Sequence, residues 1–364
     1  MVSAAGRNWP RTAFQNEAGG AKNGSTGENM SIAIVGAGAI GGYLGVRLAE
    51  AGEDVTFIAR SNAAAIQADG MRLIEEDGTE IHSKSVKATR SMQEAGVHEV
   101  VLLTVKAHQV GPIAADLHHL IGPDTVVVTM QNGIPWWYFL GGYSGDHAGT
   151  RLESADPGGL IADHLDPKHV IGSVVYPATV LTDPGTVKVI EGNRFGLGEL
   201  DGSKSERVLA LSQRLAKAGF RAPVTSDIRA EIWLKLWGNL SFNPISALTH
   251  ATLEDICRFP DTRAIAAEMM REAEVIANKL GVTFRLGIDK RIAGAEKVGP
   301  HKTSMLQDVE AGRPIELEAL VGSVIELGRL TGTPTPHIDT VFALMRLLAQ
   351  SLERAQGRLA IQGA

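Results

Sequence analysis

Six residues, Gly36-Ala37-Gly38-Ala39-Ile40-Gly41, constrain this chain more than any others, because of what lies on either side of them. Ile32-Ala33-Ile34-Val35 before them reads as a buried strand. After them Ile40, Leu44 and Leu48 share one face of a helix that Gly52 closes. In a strand–glycine turn–helix unit, Gly36 permits the tight turn, Gly38 lets the main chain approach a pyrophosphate, and Gly41 allows the helix to pack closely on the strand. The free N–H groups of the first helical turn then face the phosphate. Gly36, Ala37, Gly38, Ala39, Ile40 and Gly41 are therefore candidate dinucleotide-binding residues.

The same grammar continues downstream. Residues 54–59, 99–104 and 125–129 read as strands, the last two with apolar interiors at 100–103 and 126–128 as in a covered parallel sheet. Residues 71–86 read as a hairpin around Asp77-Gly78. Further strands are expected at 170–176, 186–190 and 195–199, followed by a helix over 205–218. Residues 136–168, rich in Gly, Asp and Tyr, read as a long surface insertion. From 227 onward the apolar period becomes 3.6. The expected fold class is thus an α/β Rossmann-type dinucleotide-binding domain followed by an all-helical C-terminal domain. The expected divisions are a disordered leader at 1–29, a nucleotide-binding domain at 30–226, a helical substrate domain at 227–355 and a tail at 356–364.

The end of the second strand separates the two common dinucleotides. An enzyme that selects NAD places an acid there for the ribose 2′-hydroxyl. This chain has Ala59-Arg60-Ser61-Asn62 instead. A guanidinium suits a 2′-phosphate, with Ser61 and Asn62 as further donors, so the expected cofactor is NADPH/NADP bound in part by Arg60.

Composition excludes several other classes. A formal charge of -6 argues against a nucleic-acid partner. No apolar run approaches the length of a membrane span. Cys257 is the only cysteine, which rules out an internal disulfide and fits a reducing cytoplasm. The eleven histidines are scattered, and His118-His119 lacks metal-ligand spacing, so no metal site is expected.

One helix carries the candidate chemistry. Residues 231–243 are mostly large and apolar, with Trp233, Trp237 and Phe242, yet Lys235, Asn239 and Asn243 interrupt them at i, i+4 and i+8. That spacing stacks an ammonium and two amides along one face. Buried polar groups need partners, and a polar substrate would supply them. Asn243 precedes Pro244, which is expected to kink the chain there. Ser304 with Gln307 reads as a helix capping box, and Glu316 follows Pro314 at a helix start.

From residue 30 to about 352 the chain resembles the ketopantoate reductase (2-dehydropantoate 2-reductase) family. The resemblance rests on the glycine loop, on Thr104-Val105-Lys106 with Gln131-Asn132-Gly133, on residues 235–244, and on Thr303-Ser304-Met305-Leu306-Gln307-Asp308 with Glu316 beyond it. It implies a helical domain of the 6-phosphogluconate-dehydrogenase-like kind and NADPH-dependent reduction of a 2-oxo acid to a 2-hydroxy acid. By the same resemblance Lys235 is the general acid, Glu316 a second catalytic residue, and Asn132, Asn239, Asn243 and Ser304 are substrate-binding. Lys106, Asn132 and Glu316 match residues around the nicotinamide and its ribose. Three positions depart from the pattern: the 136–168 segment is long, Leu253 stands where some relatives have a polar contact, and Lys188 stands where many have histidine. A different 2-oxo or 3-hydroxy acid as substrate, or a catalytically silent NADP(H) sensor, are the alternatives. The helical half allows a homodimer without requiring one.

Overall fold

The computed structural model describes residues 29–357; of the leader expected at 1–29 and the tail at 356–364, residues 1–28 and 358–364 lie outside the described residues. Strand β1 (Ser31–Val35), helix α1 (Ala39–Glu50) and strand β2 (Asp54–Ile58) form the first unit, with β1 and β2 parallel and in register from Ser31↔Asp54 to Val35↔Ile58. Helix α2 (Ala63–Asp69), the hairpin β3 (Met71–Ile74) and β4 (Glu80–Ser83), strand β5 (Lys87–Thr89) and helix α3 (Met92–Ala95) follow. Then come β6 (His98–Leu103), α4 (Ala107–Val110), β7 (Ile121–Thr129), β8 (Val170–Val175), β9 (Ala178–Asp183), β10 (Thr186–Glu191), β11 (Phe195–Glu199) and α5 (Glu206–Lys217).

The main sheet has seven strands in the order β11-β8-β7-β6-β1-β2-β5, all parallel except β11, which runs against β8. Strand order reverses beside β1, since β2 lies on one side of it and β6 on the other. Open α/β sheets bind ligands outside the strand ends at such a reversal.

A second sheet, β4-β3-β10-β9, is not foreseen by the strand pattern, and β9 itself is missed. The Asp77-Gly78 hairpin forms, but β3 also pairs in parallel with β10, more than a hundred residues away. Helix α1 is wedged between the two sheets, and glycine makes that possible. A Cβ on Gly42 would sit 2.3 Å from Met71 Cε and 2.6 Å from Val187 Cγ2, in the second sheet. One on Gly45 would sit 2.1 Å from Phe57 Cζ, in the first.

The segment 136–168 is not a surface excursion. Trp136, Trp137, Tyr138, Phe139, Leu152, Ile161 and Leu165 are all buried. Its many glycines disguise this in the sequence: Gly141, Gly142, Gly149, Gly158 and Gly159 adopt positive φ and fold the segment back on itself. The buried carboxylate of Asp156 accepts hydrogen bonds from the N–H groups of Ile161 (2.7 Å) and Ala162 (2.9 Å). What this segment packs against is the helical half.

That half is built around α6 (Ile228–Thr249), which contacts α8 (Pro260–Lys279), α10 (Ser304–Glu310) and α12 (Pro336–Arg354); α7 (Leu253–Arg258), α9 (Ile288–Glu296) and α11 (Ser323–Leu330) complete it. Trp233 Nε1 donates to the Tyr138 hydroxyl (2.7 Å), and Trp237 Nε1 donates to the Met270 carbonyl (2.7 Å). At Pro244, where a kink is expected, the helix is not interrupted and runs on to Thr249. Pro244 offers no N–H to the carbonyl of Leu240, a loss of about 3 kcal/mol in an isolated helix. Here Phe242, Asn243, Pro244 and Ile245 are all buried, and packing on every side holds the helical course.

Candidate active site

At the glycine turn, Gly36 has φ +110° and its N–H donates to the Ile58 carbonyl (3.0 Å). A Cβ there would meet Val105 Cγ1 at 2.8 Å, and one on Gly41 would meet the Gly36 carbonyl oxygen at 2.0 Å. Both glycines are thus demanded by the turn itself. Gly38 differs: nothing lies within 4 Å of where its Cβ would be. It caps α1 without a side-chain hydrogen bond, and the first return bond of the helix is Gly42 N–H to the Gly38 carbonyl (2.8 Å). The N–H groups of Ala39, Ile40 and Gly41 therefore stay free at the positive end of the helix dipole. Thr104, just past β6, clamps the loop by donating its hydroxyl to the Gly36 carbonyl (2.7 Å).

Arg60 is exposed at the end of β2 and, among the described residues, makes no ion pair. No acid stands beside it there. Asn62 is not available as a further ribose donor: it is buried, and its Nδ2 donates to the Ala37 carbonyl (3.0 Å), bracing the glycine turn. The open space at Gly38, the free N–H groups and the Arg60 guanidinium together fit a dinucleotide.

Lys235 turns inward. Its Nζ donates to Asn132 Oδ1 (2.5 Å) and to the Val175 carbonyl. Asn132 follows β7 and Val175 ends β8, so the ammonium sits at the carboxyl edge of the main sheet. Burial pulls its pKa down from 10.5 to about 8, against an opposing pull from the Glu316 carboxylate. Asn239 is half-buried and Asn243 buried. Among the described residues neither amide hydrogen-bonds to protein.

Glu316 comes from a stretch just before the π-helical turn Glu318–Gly322. Its Oε1 accepts from the Ala107 N–H (2.9 Å). The π turn joins the two halves: the Ala319 carbonyl accepts from the Ile134 N–H (3.0 Å), and a Cβ on Gly133 would lie 2.1 Å from that oxygen. Gly133 therefore has to be glycine for the helical half to close on the sheet edge. Lys106 is engaged by Asp308, with Nζ to Oδ2 at 2.5 Å, and Arg313 Nε donates to the other oxygen of that carboxylate (2.9 Å). Ser304 begins α10 and is exposed; the cap is Thr303, whose Oγ1 accepts from the Leu306 N–H (3.2 Å). The capping box expected of Ser304 and Gln307 thus does not form, because Gln307 Nε2 donates instead to the Lys302 carbonyl (3.1 Å). The Ser304 hydroxyl is left for another partner.

A cavity of 1110 Å³ lies beyond Glu316, lined by His108, Pro314 and Arg346 among others, and does not reach Lys235. Two contributors to the site have no side-chain signature in the sequence. The Val175 acceptor is a main-chain oxygen. Asp308 shares its block with Ser304, but its partnership with Lys106 spans 202 residues.

Known proteins resemble this chain over most of its length. Residues 32–148 match the family model described as ketopantoate reductase PanE/ApbA, and residues 227–349 match that of its C-terminal domain. The 2-dehydropantoate 2-reductase of Mesorhizobium japonicum is 55% identical over 322 residues, covering 88% of this chain and 98% of the relative. A crystal structure from Ralstonia solanacearum, described as a candidate ketopantoate reductase, superposes with a TM-score of 0.85 at 41% identity, covering 90% of this chain and 99% of that one. D-mandelate dehydrogenase bound to NADH and anilino(oxo)acetate shares the fold at a TM-score of 0.76 and 22% identity, over 89% of this chain and 99% of that one.

Proposed function

Because this chain belongs to the ketopantoate reductase family, we propose that it reduces 2-dehydropantoate to (R)-pantoate with NADPH as the reductant. The observation that carries the reading is Lys235, an inward-facing ammonium at the sheet edge with a pKa of about 8. The dinucleotide, when bound, supplies the hydride to the C2 carbon.

Hydride addition builds negative charge on the C2 oxygen. An ammonium has three N–H donors. Asn132 Oδ1 and the Val175 carbonyl take two, which leaves the third for the substrate oxygen. After that proton leaves Nζ, the neutral amine still has two N–H groups for the same two acceptors. The side chain therefore keeps its place in both protonation states, and reorganisation on proton transfer is small. Near neutral pH Lys235 is mostly charged, yet it is a stronger acid than a solvated lysine. Glu316 supplies the opposing charge that keeps the amine protonated.

In this reading residues 30–226 hold the dinucleotide and 227–355 present the substrate groups. Gly36 through Gly41 receive the pyrophosphate, and Arg60 faces the 2′-phosphate. Lys106 and Glu316 border the nicotinamide ribose, while Asn239, Asn243 and Ser304 have free polar groups for the oxo acid and its hydroxyl. The substrate is a small molecule, and all of these groups come from one chain. No helix among the described residues is long and apolar enough to cross a membrane. We place the enzyme in the cytoplasm, where NADPH is regenerated.

Following NADPH oxidation with 2-dehydropantoate against a panel of 2-oxo acids tests the proposal. Preference for 2-dehydropantoate by at least about tenfold in kcat/KM is expected, the scale of a few contacts in a binding pocket. Preference for another oxo acid would assign a different substrate, and no oxidation with any of them would favour a sensor.

A further inference from the structure

Arg291 has no part in the mechanism above, yet it lies against the helix that carries it. A Cβ built on Gly238 of α6 would sit 2.1 Å from a terminal nitrogen of Arg291 and 2.9 Å from its Cζ. The guanidinium thus fills the space where α6 has no side chain. Arg291 is half-buried, and burial pulls its pKa down. Among the described residues its guanidinium makes no hydrogen bond and no ion pair. The ionisable groups nearest in effect are Tyr176 and Cys257. Burial pushes the first up to about 12 and the second up to about 11, so both are neutral at pH 7. A partly desolvated cation with no ion pair is costly, and an arriving anion relieves that cost.

Its position on the helix surface says which anion. At roughly 100° per residue, Gly238 falls roughly 60° to one side of Lys235, while Asn239 and Asn243 fall roughly 40° and 80° to the other. The order across the face is guanidinium, ammonium, amide, amide. A hydroxylated 2-oxo acid has the same order: carboxylate, oxo carbon, then the polar remainder.

We propose that Arg291 is a substrate-binding residue that pairs with the C1 carboxylate of the oxo acid while Lys235 meets the C2 oxygen. This rests on the reductase reading and adds an orientation to it. Ser304 carries no charge, so it can hydrogen-bond the same carboxylate but cannot neutralise it.

The test compares wild-type enzyme, Arg291→Gln, Arg291→Lys and Gly238→Ala with 2-dehydropantoate and with its C1 carboxamide. Arg291→Gln is expected to raise KM for the acid roughly 30-fold or more, as for loss of one partner of a desolvated charge pair. kcat should change only a few-fold, and NADPH affinity measured by fluorescence should not move. Arg291→Lys, which keeps the charge without the fork, should fall between wild type and Gln. Gly238→Ala displaces the guanidinium without removing it and should show the same rise in KM. The carboxamide should be reduced with equal efficiency by wild type and Arg291→Gln. Should the Gln variant not fold, the Lys and Gly238→Ala enzymes decide. An acid KM within threefold of wild type in the folded variants, or equal losses for acid and amide, overturns the assignment and leaves the reductase reading standing. A wild-type enzyme that reduces no 2-oxo acid overturns both.

Discussion

The residues at the glycine turn are six neighbours in sequence, whereas those around Lys235 come from positions 132, 175, 235 and 316. The first site is made of main chain: free N–H groups, a positive φ, and a glycine with nothing beyond it. The second is made of side chains whose charge depends on burial and neighbours. A phosphate needs only oriented dipoles, which a strand–turn–helix unit supplies by itself. Proton transfer needs an acid of adjusted strength, and that takes groups from separate elements. Damage at the turn should therefore act on binding, and damage at the lysine on turnover.

The contrast is broken most severely by Lys235→Ala. Its kcat should fall about 10²–10⁴-fold, while fluorescence titration finds NADPH affinity retained. If affinity falls with kcat, the two sites are not separable. Next in size is a pair of glycine variants. Gly41→Ala collides with the turn at 2.0 Å and should lose both stability and cofactor binding. Gly38→Ala meets nothing in the free protein, so its melting temperature should match wild type while its Kd for NADPH rises about tenfold or more. An unchanged Kd would show that the pyrophosphate does not pass Gly38.

Arg60→Asp sharpens the picture of the turn. It replaces a cation with the acid that NAD enzymes use, and the NADPH-to-NADH preference in kcat/KM should drop by about tenfold or more, the worth of a charged hydrogen bond. A preserved ratio would move the 2′-phosphate elsewhere. The smallest effect concerns pH. With Lys235 as the proposed proton donor, kcat/KM should be level below about 8 and decline above it. Glu316 raises that pKa, so Glu316→Gln should move the alkaline limb to lower pH. A limb that stays in place would show that Glu316 does not set the acidity of the lysine.

Local pattern made much of the nucleotide-binding half readable. Glycines at 36, 38 and 41 between an apolar strand and a helix admit few structures, and the strand segments 100–103 and 125–129 are buried on both faces. Pattern failed where distant segments decide the outcome. β3 reads as half of a hairpin, but its second neighbour is β10. The glycines of 136–168 suggest surface, but the aromatic residues between them reach the core beside α6. At Thr303 and Ser304 two hydroxyls compete for one cap, and adjacency in sequence does not say which wins.

What the sequence determined unaided was the grammar: a glycine turn between strand and helix, a cation at the end of β2, and a helix with an ammonium and two amides on one face. These depend on φ, on side-chain size and on a 3.6-residue period, all properties of near neighbours. Tertiary structure decided how acidic Lys235 is, which carbonyl holds it, and which cation lies beside it at Gly238. Electrostatics in a partly desolvated site depends on every charge within several ångströms, and the chain brings those charges together only after it has folded.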